Sequence, residues 1–549
     1  MLRASDPPRD MTHGVVPDAG LTFGLLAAVA LLAAVGRRLG LPDPIVFALG
    51  GLALAVVPGI PPIALPPSLV LVIFLPPLIF AAAQDTSWAE MRQEARPILL
   101  LAVGLVVFTM AAVAVVAHAL VPGLPWAAAL TLGAIVAPPD TVAAKAIADT
   151  LHLPRRMVAT LGGEGLVNDA TALVAFQVAS GAAVAGTVLQ VGPSALRVAY
   201  AAVVSVAIGV AVGWAGRHAL AAAGEPAVEN TVTLLLPFGA FLPAEAVHGS
   251  GVLAVVALAL YLSRFSALLA SSASRLQGRV LWEMIDFLLT GLSFVLVGLQ
   301  LRSSTQALLA RPGPVLLASA AVCLTVIAVR PLWVFTTSWL SDGVRAMLAE
   351  HELTDRPTVP HLAVLSWAGM RGVISLAVAL SLPQLTASGQ PFPGRDLIVF
   401  IAFAVILVTL LGQGLTLPFL IRRLGYAERG VRVEDQEISA RLRMARAALA
   451  RLDRLAEETR SPPGAVDRVA LFYASRLESL DRQHRLTAAS EGEQAAAMEA
   501  REGTRELLRG LMDVERGELQ HMRNHGVIDG PVARRLQRDL DLLRVQDRA

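Results

Sequence analysis

Over its first 426 residues this chain carries only 23 Lys+Arg and 21 Asp+Glu, about one charged side chain in ten. A water-facing surface of that length needs far more polar cover, so the stretch is expected to lie in lipid. The remaining 123 residues hold 22 Arg and 22 Asp+Glu, more than one in three, and read as a soluble appendage. This split excludes a soluble enzyme, a disordered scaffold and a disulfide-stapled secreted domain. The single cysteine, Cys323, sits in an apolar run, which rules out an intrachain disulfide and a cysteine-based metal site. Three regions are expected: a short extracytoplasmic N-terminus (1–19), a membrane domain (20–425) and a cytoplasmic helical tail (426–549). The polar first residues lack the basic-then-apolar order of a cleaved signal peptide.

A helix needs about 20 apolar residues to cross the hydrocarbon core. Thirteen candidate spans fit: 20–36, 44–60, 67–83, 97–121, 125–148, 157–184, 195–216, 229–247, 249–263, 281–301, 314–339, 360–385 and 396–421. The second and ninth are short, so twelve is the alternative count. Loops after odd-numbered spans carry twelve arginines (37, 38, 92, 96, 155, 156, 217, 264, 275, 279, 345, 356), and loops on the other side carry four (197, 302, 311, 395). Positive charge stays inside, so the N-terminus is expected outside and the tail in the cytoplasm. Within the tail, apolar residues at helical spacing predict helices over 438–455 and 465–480, a third set over 493–522 and a fourth after Gly530-Pro531. The tail holds no nucleotide motif. It is expected as a small helical bundle, with binding of a regulator as the sharper reading.

An ionisable group at mid-membrane is costly and is a functional candidate by default. Away from span ends there are six: Asp140, Lys145, Glu164, Asp169, Arg330 and Arg371. Glu245, Arg264, Glu283 and Asp286 lie near span ends and are expected at the interface. Span 5 contains Ala137-Pro138-Pro139-Asp140-Thr141, where two prolines delete two backbone donors. Span 12 contains Gly369-Met370-Arg371-Gly372, two glycines around a buried arginine. Interrupted helices at corresponding places in the two halves point to a secondary transporter. Spans 1–6 and 8–13 would be two inverted six-helix repeats joined by span 7. Asp140 and Arg371 are suited to offset the dipoles of the broken ends. For Asp140, direct ion handling stands as an equal alternative. Lys145 is expected to snorkel to the cytoplasmic interface.

Span 6 carries Gly163-Glu164-Gly165-Leu166-Val167-Asn168-Asp169. Glu164 and Asn168 stack on one helix face, and Asp169 lies about 100° further round. Arg330 in span 11 is the expected partner of Glu164, because a buried carboxylate and a buried arginine both need pairing. That leaves Asp169 unpaired, which suits a site that takes up a cation and releases it.

These segments, with Phe74-Leu75-Pro76-Pro77-Leu78-Ile79-Phe80, Ser250-Gly251-Val252-Leu253-Ala254, Phe287-Leu288-Leu289, Gly298-Leu299-Gln300-Leu301 and Arg330-Pro331, occur in an order that resembles the bacterial sodium/proton antiporters. More specifically, they resemble the NhaP-like branch of the cation:proton antiporter superfamily, which includes the eukaryotic sodium/proton exchangers. The resemblance covers residues 20–425. It implies that Asp169 binds sodium, as its metal ligand, and protons in competition, with Asn168 as its paired residue. It further implies a Glu164–Arg330 ion pair, no cofactor beyond the transported ions, and a homodimer in which a core domain moves against a dimerisation domain. Three positions depart from the family pattern. Ala81 stands where many members have Glu, Gly165 where the signature has Ser, and Pro139-Asp140-Thr141 replaces the usual Thr-Asp-Pro or Ser-Asp-Pro.

The expectation is an all-α membrane antiporter of about thirteen helices, two of them broken, serving pH and sodium homeostasis in the cell membrane. It should exchange sodium for a proton by alternating access, electroneutrally, with potassium/proton exchange as the alternative. Its partners are lipid, cations, protons and a second copy of itself, not nucleic acid. A channel is disfavoured because no filter-like segment repeats. An intramembrane enzyme is disfavoured because His351-Glu352 is not followed by a second His at metal-binding spacing.

Overall fold

The computed structural model describes residues 19–57, 67–84, 88–150, 153–187, 191–264, 272–300, 312–347, 358–424, 431–458 and 463–487, with isolated positions beyond. The expected N-terminal segment before residue 19, the loop positions Arg302, Arg311 and Arg356, and almost all of the third and fourth tail helices lie outside the described residues. Among the described residues the chain is helical, and its only extended pairing is one isolated bridge between Leu385 and Pro391. Two compact units divide it, Met1–Ala427 and Glu428–Ala549.

The first unit begins with α1 (Ala19–Leu39), α2 (Asp43–Val56) and α3 (Pro67–Gln84). Two short pieces, α4 (Trp88–Gln93) and α5 (Ala95–Leu99), lead through a π-helical turn at Leu100–Leu105 into α6 (Val106–Leu120). The widened turn leaves carbonyls without their usual donors. Trp333 donates its indole N–H to the Leu100 carbonyl at 3.0 Å. Then come α7 (Trp126–Val136), α8 (Thr141–Thr150), α9 (Arg155–Ala185), α10 (Val191–Ala223), α11 (Pro226–Ala246) and α12 (Gly251–Ser263). The unit closes with α13 (Ser272–Leu299), α14 (Pro312–Met347), α15 (Val359–Trp367), α16 (Val373–Leu380) and α17 (Arg395–Arg423). Seven of these stretches are long and apolar enough to cross a membrane: the α5–α6 run, α9, α10, α11, α13, α14 and α17. With the shorter apolar helices packed among them, they make this unit an integral membrane protein.

With lipid outside, van der Waals fit rather than water exclusion holds the helices together, and small residues let backbones approach. Gly51 of α2 and Gly298 of α13 meet this way. A Cβ on Gly51 would enter the Val295 carbonyl, and one on Gly298 the backbone of Ala48 and Leu52. The buried core joins Val29, Phe47, Leu105, Met157, Phe294, Val329 and Met370 across the unit. Leu75, Ile79, Phe80 and Leu166 pack with α11 and α12 in a second cluster.

The end-of-span charges are mostly exposed. Glu283 pairs with Arg279 at 3.1 Å on the α13 surface, Arg264 is exposed, and Glu245 accepts the Gly251 N–H at 2.9 Å at the start of α12. Ser250 caps the same helix through Leu253 N–H.

In the second unit, α18 (Val431–Glu458) and α19 (Pro463–Thr487) bury Ile438, Leu442, Ala445 and Leu480 against each other, with Tyr473 and Leu477 alongside. The spans 438–455 and 465–480 fall inside these two helices. Asp481 hydrogen-bonds Arg485 at 2.6 Å and lies 3.9 Å from Arg446, and this holds its carboxyl below the usual range.

Candidate ion-binding site

Both interrupted spans are broken in the structure. The fifth is α7, then Ala137–Asp140 without helix, then α8; the twelfth is α15, then Ala368–Gly372, then α16. Two prolines are not enough to cause such a break, since α3 runs straight through Pro76 and Pro77. What distinguishes the fifth span is that groups from elsewhere take up its freed backbone. Asp140 N–H donates to the Met370 carbonyl at 2.6 Å, joining one break to the other. Asn168 Nδ2 donates to the Pro139 carbonyl at 3.0 Å. Arg371 Nε and Nη2 donate to the carbonyls of Val136 and Ala137 at 3.0 and 3.2 Å, and Nη1 to Gly369. Thr409 Oγ1 accepts the Arg371 backbone N–H at 3.0 Å.

The C-terminal end of a helix carries roughly half a negative charge. Arg371, 1 % exposed, sits on that end of α7. Arg330, also 1 % exposed, plays the matching part on α15, donating Nε to the Leu365 carbonyl at 3.0 Å. Its two other nitrogens grip Glu164, Nη1 to Oε1 at 2.5 Å and Nη2 to Oε2 at 2.8 Å. This fork is the strong form of a charge-assisted hydrogen bond. Sequence reasoning paired Arg330 with Glu164 but missed that the same guanidinium closes a broken helix.

Asp140 stands immediately before α8, and its carboxylate lies against Gly372, the residue before α16. A Cβ at Gly372 would overlap that carboxylate. The glycine is required by close approach, because its φ of −131° is ordinary extended backbone. One carboxylate therefore faces the partly positive starts of two half-helices.

On α9, Glu164 and Asn168 are fully buried, and Asp169 is half-buried one step round the helix. Asp169 and Asp140 line the same cavity, which offers about 60 Å³ for the centres of water-sized spheres. A single water needs about 10–15 Å³ on that measure, so a cation and several waters fit. No hydrogen bond or ion pair to the Asp169 carboxylate occurs among the described residues. Asn168 Oδ1 is likewise buried without a partner among them. Gly165 and Pro139 line the cavity and bring no side-chain oxygen; Ala82 lines it, and Ala81 does not. Lys145, half-buried on α8, is not part of the lining.

One part of the lining was not foreseen from the sequence. Thr290 and Ser293, three residues apart on α13, line the cavity, and their hydroxyls have no hydrogen-bond partner among the described residues. Leaving such a group unsatisfied costs about 1–3 kcal/mol. The sequence shows only the i, i+3 spacing of two hydroxyls in a run that is otherwise apolar or glycine, which does not tell whether they bond back to their own helix.

Comparison with known proteins identifies the family. The family model described as "Sodium/hydrogen exchanger, transmembrane" matches residues 24–423. An uncharacterized Na(+)/H(+) exchanger of Mycobacterium tuberculosis is 34% identical over 542 residues, covering 97% of both chains. A sodium, potassium, lithium and rubidium/H(+) antiporter of Bacillus pumilus is 33% identical over 414 residues, 72% of this chain and 60% of that one. The solved structure of the sodium proton antiporter MjNhaP1 from Methanocaldococcus jannaschii superposes with a TM-score of 0.55 at 18% identity, covering 74% of this chain and 98% of that one. The chain belongs to the sodium/hydrogen exchanger family, among the sodium/proton antiporters of the cation:proton antiporter superfamily.

Proposed function

We propose that this protein exchanges sodium for protons across the cell membrane by alternating access, with Asp169 as the group that holds either ion. The observation that carries this is the pairing pattern of the buried carboxylates. Glu164 is held by the Arg330 fork, whereas Asp169 opens on a cavity shared with Asp140 at the crossing of two broken helices. A hard monovalent cation takes oxygen ligands, and a buried carboxylate that gives up a cation takes a proton. Asn168 ties the wall of the site to α9 through Pro139 and leaves an acceptor, Oδ1, beside Asp169 in sequence. Arg371 and the Glu164–Arg330 pair hold the broken ends in place and do not exchange ions. Asp140 compensates the half-helix starts and contributes a second carboxylate to the cavity.

The same reading takes thirteen crossings in two inverted six-helix repeats, a homodimer, the N-terminus outside and a cytoplasmic tail that can take a regulator. Its physiological role is pH and sodium homeostasis. A second reading, potassium/proton exchange, is favoured by one observation: the Bacillus relative is named for sodium, potassium, lithium and rubidium. Proton flux in everted vesicles separates the two. Sodium added to vesicles acidified by respiration should dissipate the gradient with saturation. A response to potassium alone would favour the second reading, and no response to any of sodium, lithium or potassium would refute both.

A further inference from the structure

Hydroxyls inside membrane helices ordinarily turn back on their own helix and donate to the carbonyl four residues earlier. This chain follows that habit at Thr131, Thr171, Ser319, Thr325 and Thr409, with contacts of 2.7–2.9 Å. Thr290 and Ser293 break it. They are 9 % and 1 % exposed, sit one turn apart on α13, and make no hydrogen bond among the described residues. Thr109 and Ser366 also lack a partner among the described residues, but neither lines the cavity. Two buried hydroxyls without a hydrogen bond among the described residues, on residues that line a cavity with two carboxylates, are free to turn toward something that enters that cavity. Gly165 and Pro139, on the carboxylate side, offer no side-chain donor atom, and among the described residues the only other hydroxyl residue lining the cavity is Ser375 of α16.

We infer that Thr290 and Ser293 form the second wall of the ion site and set its preference among monovalent cations by supplying the neutral oxygens, directly or through one water, that replace part of the cation's hydration. This inference rests on exchange at Asp169. Carboxylates attract any cation, whereas neutral oxygens decide how much hydration can be given up. A smaller ion loses more when it is stripped of water, because the cost of removing a charge from water rises as the radius falls. Removing the hydroxyls therefore penalises lithium and sodium more than potassium. Helix α13 packs chiefly along α2 and makes fewer contacts with α16. Thr290 and Ser293 thus line the cavity from a helix that carries neither carboxylate.

The test is exchange by the full-length protein carrying Thr290→Val and Ser293→Ala, singly and together, in everted vesicles with lithium, sodium or potassium. The apparent KM for sodium should rise about fivefold for each substitution, the loss of one neutral oxygen contact. Vmax should stay within a factor of about two, and the potassium-to-sodium KM ratio should fall. Thr290→Ser and Ser293→Thr, which keep the oxygen, should retain the wild-type ratio. If the double variant fails to insert, the single substitutions are read in the same way. Unchanged KM for all three cations, or a fall in Vmax alone, would overturn the inference. Asp169→Asn in the same vesicles keeps the two levels apart, because exchange surviving that substitution would refute the site itself, whatever the hydroxyl variants do.

Discussion

Asp169→Asn is expected to abolish cation/proton exchange while leaving the protein folded and inserted. The substitution keeps the shape of the side chain and removes its ability to alternate between a proton and a cation. Asp169 is not held by an ion pair among the described residues, so no buried charge is orphaned by the change and the fold has no reason to fail. Wild-type and variant should elute and melt alike after purification, and everted vesicles carrying the variant should show no sodium-dependent proton flux. Flux with an ordinary sodium KM would remove Asp169 from the site and leave Asp140 as the carboxylate to mutate next. The paired substitution, Asp140→Asn, is expected to act less cleanly, because that carboxylate also packs against Gly372 between two half-helix starts.

Glu164→Ala should do the reverse, destabilising the protein more than it weakens cation affinity. The fork from Arg330 is fully buried, and removing one partner leaves a guanidinium uncompensated, at a cost of about 3–5 kcal/mol. The damage should spread to α15, because the same guanidinium donates to Leu365. A clear fall in melting temperature and in yield is expected, with an almost unchanged sodium KM in whatever protein inserts. A purified variant that melts like wild type would show that the pair is not structural. Glu164→Gln, which keeps the shape and part of the hydrogen bonding, should fall between the two.

Much of this site was legible before any coordinates. Pro138-Pro139 and the glycines around Arg371 announce the two breaks, and the four-residue step from Glu164 to Asn168 separates a paired face from the cavity face. The order of motifs then named the family. Three features were hidden, each for a physical reason. Why Pro138-Pro139 opens its span while Pro76-Pro77, read within one unbroken span, does not is one of them: a helix opens at proline according to who receives its freed groups, and those receivers come from distant spans. The contact of Arg330 with Leu365 is a long-range pairing that helical periodicity on α14 does not reveal. Thr290 and Ser293 look like the other membrane hydroxyls. Periodicity gives the face of a helix but not what lies opposite it, so nothing in the sequence separates these two from the back-bonded Thr131 or Thr409.

A site with one exchanging carboxylate fixes the charge moved per cycle. On the proposed reading, Asp169 holds one monovalent cation in one direction and one proton in the other, while Glu164 is tied to Arg330. The loaded site therefore has the same charge both ways. Moving one net charge would couple transport to the membrane potential at about 2.3 kcal/mol per 100 mV, and moving none would not. The most direct measurement is sodium-driven proton flux by the purified protein in proteoliposomes, at a constant pH gradient, with the potential set by potassium and valinomycin. One-for-one exchange at Asp169 requires a saturable flux whose rate is the same at every imposed potential; a rate that changes steadily with potential would show that a second group, Asp140 first among them, releases a proton in each cycle.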